Sequence, residues 1–183
     1  RNVKKIDRPL VGLLNIGSEE MKGHDELRQT ARVLANVQFP GRFYGFIEGN
    51  DIPAGTVDVV VTDGFSGNVA LKVFEGVGHM AGVYIRHAFK DSWLATLGGM
   101  LAYGSLHRLK KQLDPRLYNG GMFLGLNGVC VKSHGGSDDV AVANAILRAA
   151  DLIATDFNAR VAAEIDSIMN QESFLTSMST DGV

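Results

Sequence analysis

Apolar residues run unbroken from Pro9 to Leu14 and stop at Asn15-Ile16-Gly17, a pattern that predicts a buried strand followed by a loop in which Gly17 is free to take positive φ. Leu27, Ala31 and Leu34 then recur at helical spacing, with Asp25 and Glu26 near the start, where the helix dipole favours acidic side chains. Phe43 to Ile47 predicts a second strand, residues 48–55 a surface loop, and Val57 to Thr62 a third strand. Strand and helix thus alternate at βαβ lengths. The fold class this predicts is α/β, with a doubly wound, mostly parallel sheet.

From Asn68 to about Leu113 the pattern becomes one long, mostly helical stretch containing six glycines, which weaken an isolated helix and require packing support. Asp114-Pro115 ends it, because the residue before proline avoids helical geometry. Residues 119–128 are glycine-rich, with Met122-Phe123-Leu124 expected as a short strand or a core-lining loop. A final helix carries one continuous apolar stripe through Val140, Ala143, Leu147, Ala150, Ala154, Phe157, Val161, Ile165 and Ile168. Periodicity is lost after Gln171. The expected organisation is a single α/β domain over 1–171 and a loose tail over 172–183.

Composition narrows the class without naming a function. The 183 residues are 45% hydrophobic and 21% charged with a net charge of -2, which gives no sign of a nucleic-acid binder. The single cysteine, Cys130, lies between two valines on an expected strand, so it reads as a buried apolar residue in a reduced, cytoplasmic setting. Charged residues interrupt every apolar stretch well before the ~18 residues of a membrane span. Residue 1 is Arg, and a strand begins within about ten residues, a start expected of a fragment.

Two strand-to-helix turns carry the candidate chemistry. Val59 to Lys72 breaks from a β-branched run into a loop with Gly64 and Gly67 and restarts as a helix, whose free N–H groups after Gly67 favour an anion. Val129 to Lys132 likewise runs into Ser133-His134-Gly135-Gly136-Ser137 before the last helix. Both turns are expected at the same end of one sheet, where open α/β folds bind ligands. Asp63 ends a strand, and Asn68 and Lys72 share a helix face, so a carboxylate, an amide and an ammonium could converge. The structural alternative is that Asp63 caps the helix, Asn68 bonds loop backbone and Lys72 is solvated. His134 could serve an oxyanion or transfer a proton; its structural alternative is a histidine bonded to loop carbonyls. His24, His79, His87 and His107 lack paired metal-ligand spacing, and Gly12 and Gly17 lack the remaining glycines of a dinucleotide fingerprint, so neither a metal nor a redox cofactor is expected.

The stretch Trp93 to Leu113 concentrates apolar residues with Arg108, Lys110 and Lys111 at its end. A dimer interface or core cover is the commoner use of such a surface, and an amphipathic membrane contact the alternative.

Val11 to Glu20, the Glu48-Gly49-Asn50-Asp51-Ile52 loop, Val59 to Lys72, Asn119-Gly120-Gly121 and Phe123 to Asp138 together resemble, in order, the motifs of bacterial phosphate acyltransferases. The resemblance runs over nearly the whole chain. It implies an α/β/α sandwich similar to phosphotransacetylases and isocitrate-dehydrogenase-like proteins, a homodimer peripheral on the cytoplasmic membrane, and a chain matching the C-terminal half of the family. It also implies acyl transfer from acyl carrier protein to inorganic phosphate, without cofactor, for phospholipid synthesis. Asp63, Asn68, Lys72 and His134 are then the candidate catalytic positions, and Asn15, Gly17, Gly64, Gly67, Lys132, Gly135, Gly136 and Ser137 the candidate substrate-binding ones. A phosphotransacetylase-like enzyme using acyl-CoA, or a non-catalytic fragment docking acyl carrier protein at a membrane, are the readings left beside it.

Overall fold

A computed structural model describes residues 6–112 and 114–180, the last nine of these as backbone. Leu113, counted above in the apolar stretch, and residues 181–183 of the expected tail lie outside them. The chain forms two compact units: Arg1–Asp63 with Gly125–Val129 and Ala150–Val183, and Gly64–Leu124 with Cys130–Ala149.

The first unit is built on a parallel three-stranded sheet in the order β2-β1-β3, with β1 at Leu10–Leu14, β2 at Arg42–Ile47 and β3 at Val59–Val61. The central strand supplies the core: Leu13 is 2% exposed and Ile47 beside it 1%. Gly12 is required by packing, since a Cβ there would come within 2.9 Å of Ile47 Cγ2. The register slips between Val11 and Gly12, leaving Tyr44 as the extra residue of a bulge and Gly45 at φ 114°. Helix α1, Asp25–Asn36, lies against β2 and half-buries Leu27, Ala31 and Leu34, the residues whose spacing predicts it. The α/β class with parallel strands and crossover helices is therefore the observed one.

Within the expected loop 48–55 the chain makes one helical turn, α2 at Asp51–Ala54, closed by Gly55 at φ 69°. Asp51 knits this segment by accepting from the Glu48 N–H at 2.9 Å and the Thr56 hydroxyl at 2.8 Å, and these donors hold its carboxyl below the usual range.

The second unit opens with α3, Gly64–Ala88, and α4, Trp93–Gln112, where the pattern predicts one long helix. The break has a local cause. Ser92 Oγ accepts from the Ala95 N–H at 3.1 Å, a helix N-cap, and Thr96 Oγ1 reaches back to Phe89 O at 3.1 Å. Phe89 packs on Gly99, which explains one of the helix glycines. A single turn of 3-10 helix, Pro115–Tyr118, follows Asp114.

A second sheet replaces the continuation of the first. Strands β4 (Gly121–Met122) and β5 (Val131–Lys132) pair antiparallel, so the two strand-to-helix turns leave different sheets rather than one. Strand β5 is only two residues long; Cys130 falls outside it and is exposed, as are Phe123 and Leu124. Met122 lies in a short strand, one of the two expectations for 122–124, whereas a buried Cys130 and a core-lining Phe123-Leu124 are not found, because so short a hairpin has no second layer over these side chains among the described residues.

The last helix is two helices, α5 at Asp139–Ala154 and α6 at Phe157–Thr180. Asp156 at φ 48° interrupts the ladder, a conformation that aspartate tolerates better than most non-glycine residues. Ala141, Ala145 and Leu152 are the buried face of α5, whereas Val140 and Leu147 of the expected stripe are exposed. Small residues set that face because α5 lies close to backbone: a Cβ at Gly120 would come within 3.1 Å of Ala145 Cα. Helix α6 continues to Thr180, through a segment whose sequence shows no apolar period.

Candidate functional site

In the first unit, the loop after β1 is closed by Asn15. Its Oδ1 accepts from the Ile16 N–H at 2.8 Å, its Nδ2 donates to Lys22 O at 3.1 Å, and its N–H donates to Ile47 O at 2.8 Å. Asn15 is buried with all three groups bonded inside the protein, so the amide shapes the loop. Positive φ falls at Gly23, not at Gly17 as expected, and a Cβ at Gly23 would collide with Asn15 Oδ1. Gly17 is buried. Asp63, exposed, immediately precedes α3.

In the second unit, α3 begins at Gly64, so its first turn is Gly64 to Gly67, one turn earlier than the sequence implies. Neither Gly64 nor Gly67 has positive φ; a tight turn is not their reason. Nothing lies within 4 Å of a Cβ built at Gly64, nor of one built at Gly135, whose φ is likewise ordinary. Asn68 and Lys72 are exposed one turn apart on α3. Lys72 Nζ pairs with Glu75 at 2.8 Å, a partner that the i,i+3 spacing could have disclosed. Glu75 is held below the usual glutamate range first by the Lys72 hydrogen bond, with the charges of Lys72 and His134 adding to it. Lys72, Glu75 and His134 thus form one electrostatic neighbourhood.

The loop 133–137 between β5 and α5 is held from one residue that sequence reasoning placed in a motif but gave no role. Asn119 Oδ1 accepts from the His134 N–H at 3.1 Å, while its Nδ2 donates to Ser133 Oγ at 2.7 Å, Ser137 Oγ at 3.2 Å and Ala141 O at 2.8 Å. Gly120 turns the chain away at φ 106°, which with its tight fit against Ala145 accounts for glycine after Asn119. His134 Nδ1 accepts from the Gly136 N–H at 3.2 Å, and the Ser137 N–H donates to His134 O at 3.1 Å. His134, Gly135, Gly136 and Lys132 are exposed and Ser137 is half-buried.

An ion-paired brace lies behind this loop. Arg116 bonds Asp114 through Nε and Nη2, at 2.6 Å for the latter, and reaches Asp138 with Nη1 at 2.9 Å. The other Asp138 oxygen accepts from the Ala141 N–H at 3.0 Å and so caps α5. The Arg116 hydrogen bonds hold Asp114 down at about 2, and Asp138 is lowered by the Ala141 N–H and then by Arg116. Asp114 and Arg116 lie only two residues apart, but their partner Asp138 is remote in sequence, so this brace is not readable from spacing.

Among the described residues no three His, Cys, Asp or Glu side chains gather as a metal site, and no helix is long and apolar enough to cross a membrane. The second unit instead offers an ammonium, Lys72, and an imidazole, His134, groups suited to an anion.

A family model described as fatty acid synthesis protein matches residues 1–160. Proteins named phosphate acyltransferase are similar: one from Rhodospirillum centenum is 54% identical over 90% of this chain and 46% of its own length. Another from Rhodobacter capsulatus is 53% identical over 90% of the chain and 42% of its own length, and one from Paramagnetospirillum magneticum is 47% identical over 94% and 49%. The chain spans about half the length of the curated relatives it matches. On this match the chain belongs to the fatty acid synthesis protein family that the phosphate acyltransferase sequences represent.

Proposed function

We propose that the protein bearing this chain transfers a fatty acyl group from acyl carrier protein to inorganic phosphate, giving acyl phosphate for phospholipid synthesis. The observation that carries the reading is the pair Gly64 and Gly135. Neither has the φ or the crowding that would require glycine, and the open space beside each fits close approach of a phosphate to the backbone.

In the reaction, an oxygen of hydrogen phosphate attacks the thioester carbonyl carbon, the carbonyl electrons move onto oxygen, and the tetrahedral oxyanion collapses with cleavage of the C–S bond. The proton that phosphate loses is the one the thiolate gains, so no net proton or oxidant is needed. The chemistry asks for phosphate held beside the carbonyl, donors at the oxyanion and a proton source for sulfur. Lys72, released from Glu75, holds phosphate in this proposal, and Gly64, Gly67, Gly135 and Gly136 leave room for it beside the backbone. His134 serves the oxyanion or the departing thiolate. Asp63 and Asn68 orient phosphate or the pantetheine arm, and Lys132 and Ser137 contact substrate.

The same reading makes the protein a cytoplasmic homodimer that touches the membrane from one side. What supports it is α4, where Trp93, Leu94, Met100, Leu101 and Tyr103 are exposed and Arg108, Lys110 and Lys111 stand at the C-terminal end.

Steady-state kinetics on folded variants test the roles. Lys72→Ala should chiefly raise the phosphate KM, and His134→Ala should lower kcat by about 10²-fold, the scale of one acid-base or oxyanion group. Wild-type constants in both variants would remove these residues from the reaction.

A further inference from the structure

We infer that Asn119 is a positioning residue that sets the direction of two hydrogen-bond donors on the 133–137 loop, His134 Nε2–H and the Ser137 hydroxyl. The inference rests on the proposed acyl-transfer reading for what those donors serve, but the placement itself follows from the Asn119 bonds and from the Ser133 hydroxyl donating to Ser137 Oγ.

Asn119 has one acceptor and two amide hydrogens on the face it turns to this loop. The acceptor takes the His134 N–H. Ala141 O, which has no hydrogen of its own, must receive one amide hydrogen, and Ser133 Oγ at 2.7 Å receives the other, with Ser137 Oγ at 3.2 Å a weaker share. Ser133 is thereby made an acceptor toward Asn119, and its own hydrogen goes to Ser137 Oγ at 2.8 Å. The chain of donors runs one way, from Asn119 through Ser133 to Ser137. At its end the Ser137 hydrogen has no acceptor in the cluster and is free for a ligand oxygen.

The histidine is set by the same clamp. Fixing the His134 N–H on Asn119 Oδ1 holds the loop backbone so that the Gly136 N–H meets Nδ1 at 3.2 Å. An Nδ1 that accepts carries a lone pair, so the neutral imidazole has its proton on Nε2, on the side away from the loop. One amide therefore presents an imidazole N–H and a hydroxyl, three residues apart with Gly135 and Gly136 between, as donors to an anionic oxygen. Asn119 touches neither phosphate nor the acyl group in this arrangement; it acts through His134 and Ser137.

The test is nitrogen NMR of the full protein labelled with 15N-histidine, the His134 signals assigned by their loss in His134→Gln, combined with kinetics. Wild type should show His134 as the Nε2–H tautomer. Asn119→Ala should mix the two tautomers and lower kcat by about tenfold to a hundredfold, the cost of a small misplacement, with less change in the phosphate KM. Ser133→Ala, which leaves the Asn119 bonds to His134 and Ala141 in place, should keep the Nε2–H tautomer. An Nδ1–H tautomer in the wild type overturns the inference whatever the variants do, and so does an Asn119→Ala protein with unchanged tautomer and turnover. If Asn119→Ala mixes the tautomers while His134→Ala turns over like wild type, the positioning stands and the proposed role of His134 falls.

Discussion

Glycine has three different reasons to be where it is in this chain, and they separate structure from function residue by residue. Gly120 needs its positive φ and its closeness to Ala145, Gly12 needs its closeness to Ile47, whereas Gly64 and Gly135 meet neither demand. Replacing either of the last two by alanine should leave the melting temperature within a degree or two or raise it slightly, because alanine lowers the entropy of the unfolded chain. The phosphate KM should rise nonetheless. Thermal melts and phosphate titrations of Gly64→Ala and Gly135→Ala read both at once, and a variant with an unchanged KM would mean that no ligand approaches that backbone. Sequence alone does not separate these reasons, since φ and neighbours are invisible in it.

A second residue-scale consequence concerns acid. Asp114 is held at about 2 against the usual 3.8, chiefly by the hydrogen bond from Arg116. The folded value is the depressed one, so the stabilisation is complete above 3.8 and is lost as pH falls through about 2. Carboxyl NMR titration should place Asp114 near 2 in the wild type and move it up toward 3.8 in Arg116→Gln; an Asp114 that titrates identically in both proteins would contradict the brace.

At the scale of elements, the parts that sequence pattern discloses are those with a strong period and a buried face. Helix α1 is found where Leu27, Ala31 and Leu34 place it, and β1 and β2 follow the apolar runs around Leu13 and Ile47. The boundaries that pattern misses are set by single polar residues. Ser92 divides α3 from α4, and Asp156 divides α5 from α6, each without interrupting the apolar spacing that suggests one helix. Strands near 122–124 and 129–132 are expected from the sequence, but their antiparallel pairing in a separate sheet is not, because two-residue strands have no period from which to read a partner. The motif around His134 was legible as a glycine-flanked loop, but its anchor at Asn119 and the Arg116 brace depend on tertiary contacts.

Helix α4 carries its own prediction. In its last turn Lys110 and Lys111 also complement the helix dipole, so their presence alone does not require a lipid partner. Near an anionic surface, however, each basic residue contributes about 1 kcal/mol through a salt-screened attraction, and exposed Trp93 and Leu101 add insertion. Reversing Arg108, Lys110 and Lys111 together should weaken flotation with anionic liposomes and leave the proposed dimer intact. Unchanged flotation with loss of the dimer would assign the helix to subunit pairing alone.

On the scale of the whole molecule, two compact units bring different parts of the family's motifs: the loop after β1 and Asp63 belong to the first, and Lys72, His134 and Asn119 to the second. The second holds the groups proposed to bind an anion and move a proton, and the family to which the chain belongs is that of fatty acid synthesis proteins. The central claim is a transfer from acyl carrier protein to phosphate, and trapping the product tests it most directly. A folded preparation of the full protein is incubated with long-chain acyl-acyl carrier protein and inorganic phosphate, and acyl phosphate is captured with hydroxylamine as the hydroxamate. Hydroxamate should form in proportion to thioester lost, only when phosphate is present, and much more slowly with His134→Ala. Thioester that persists, or that is lost equally without phosphate, would contradict the account.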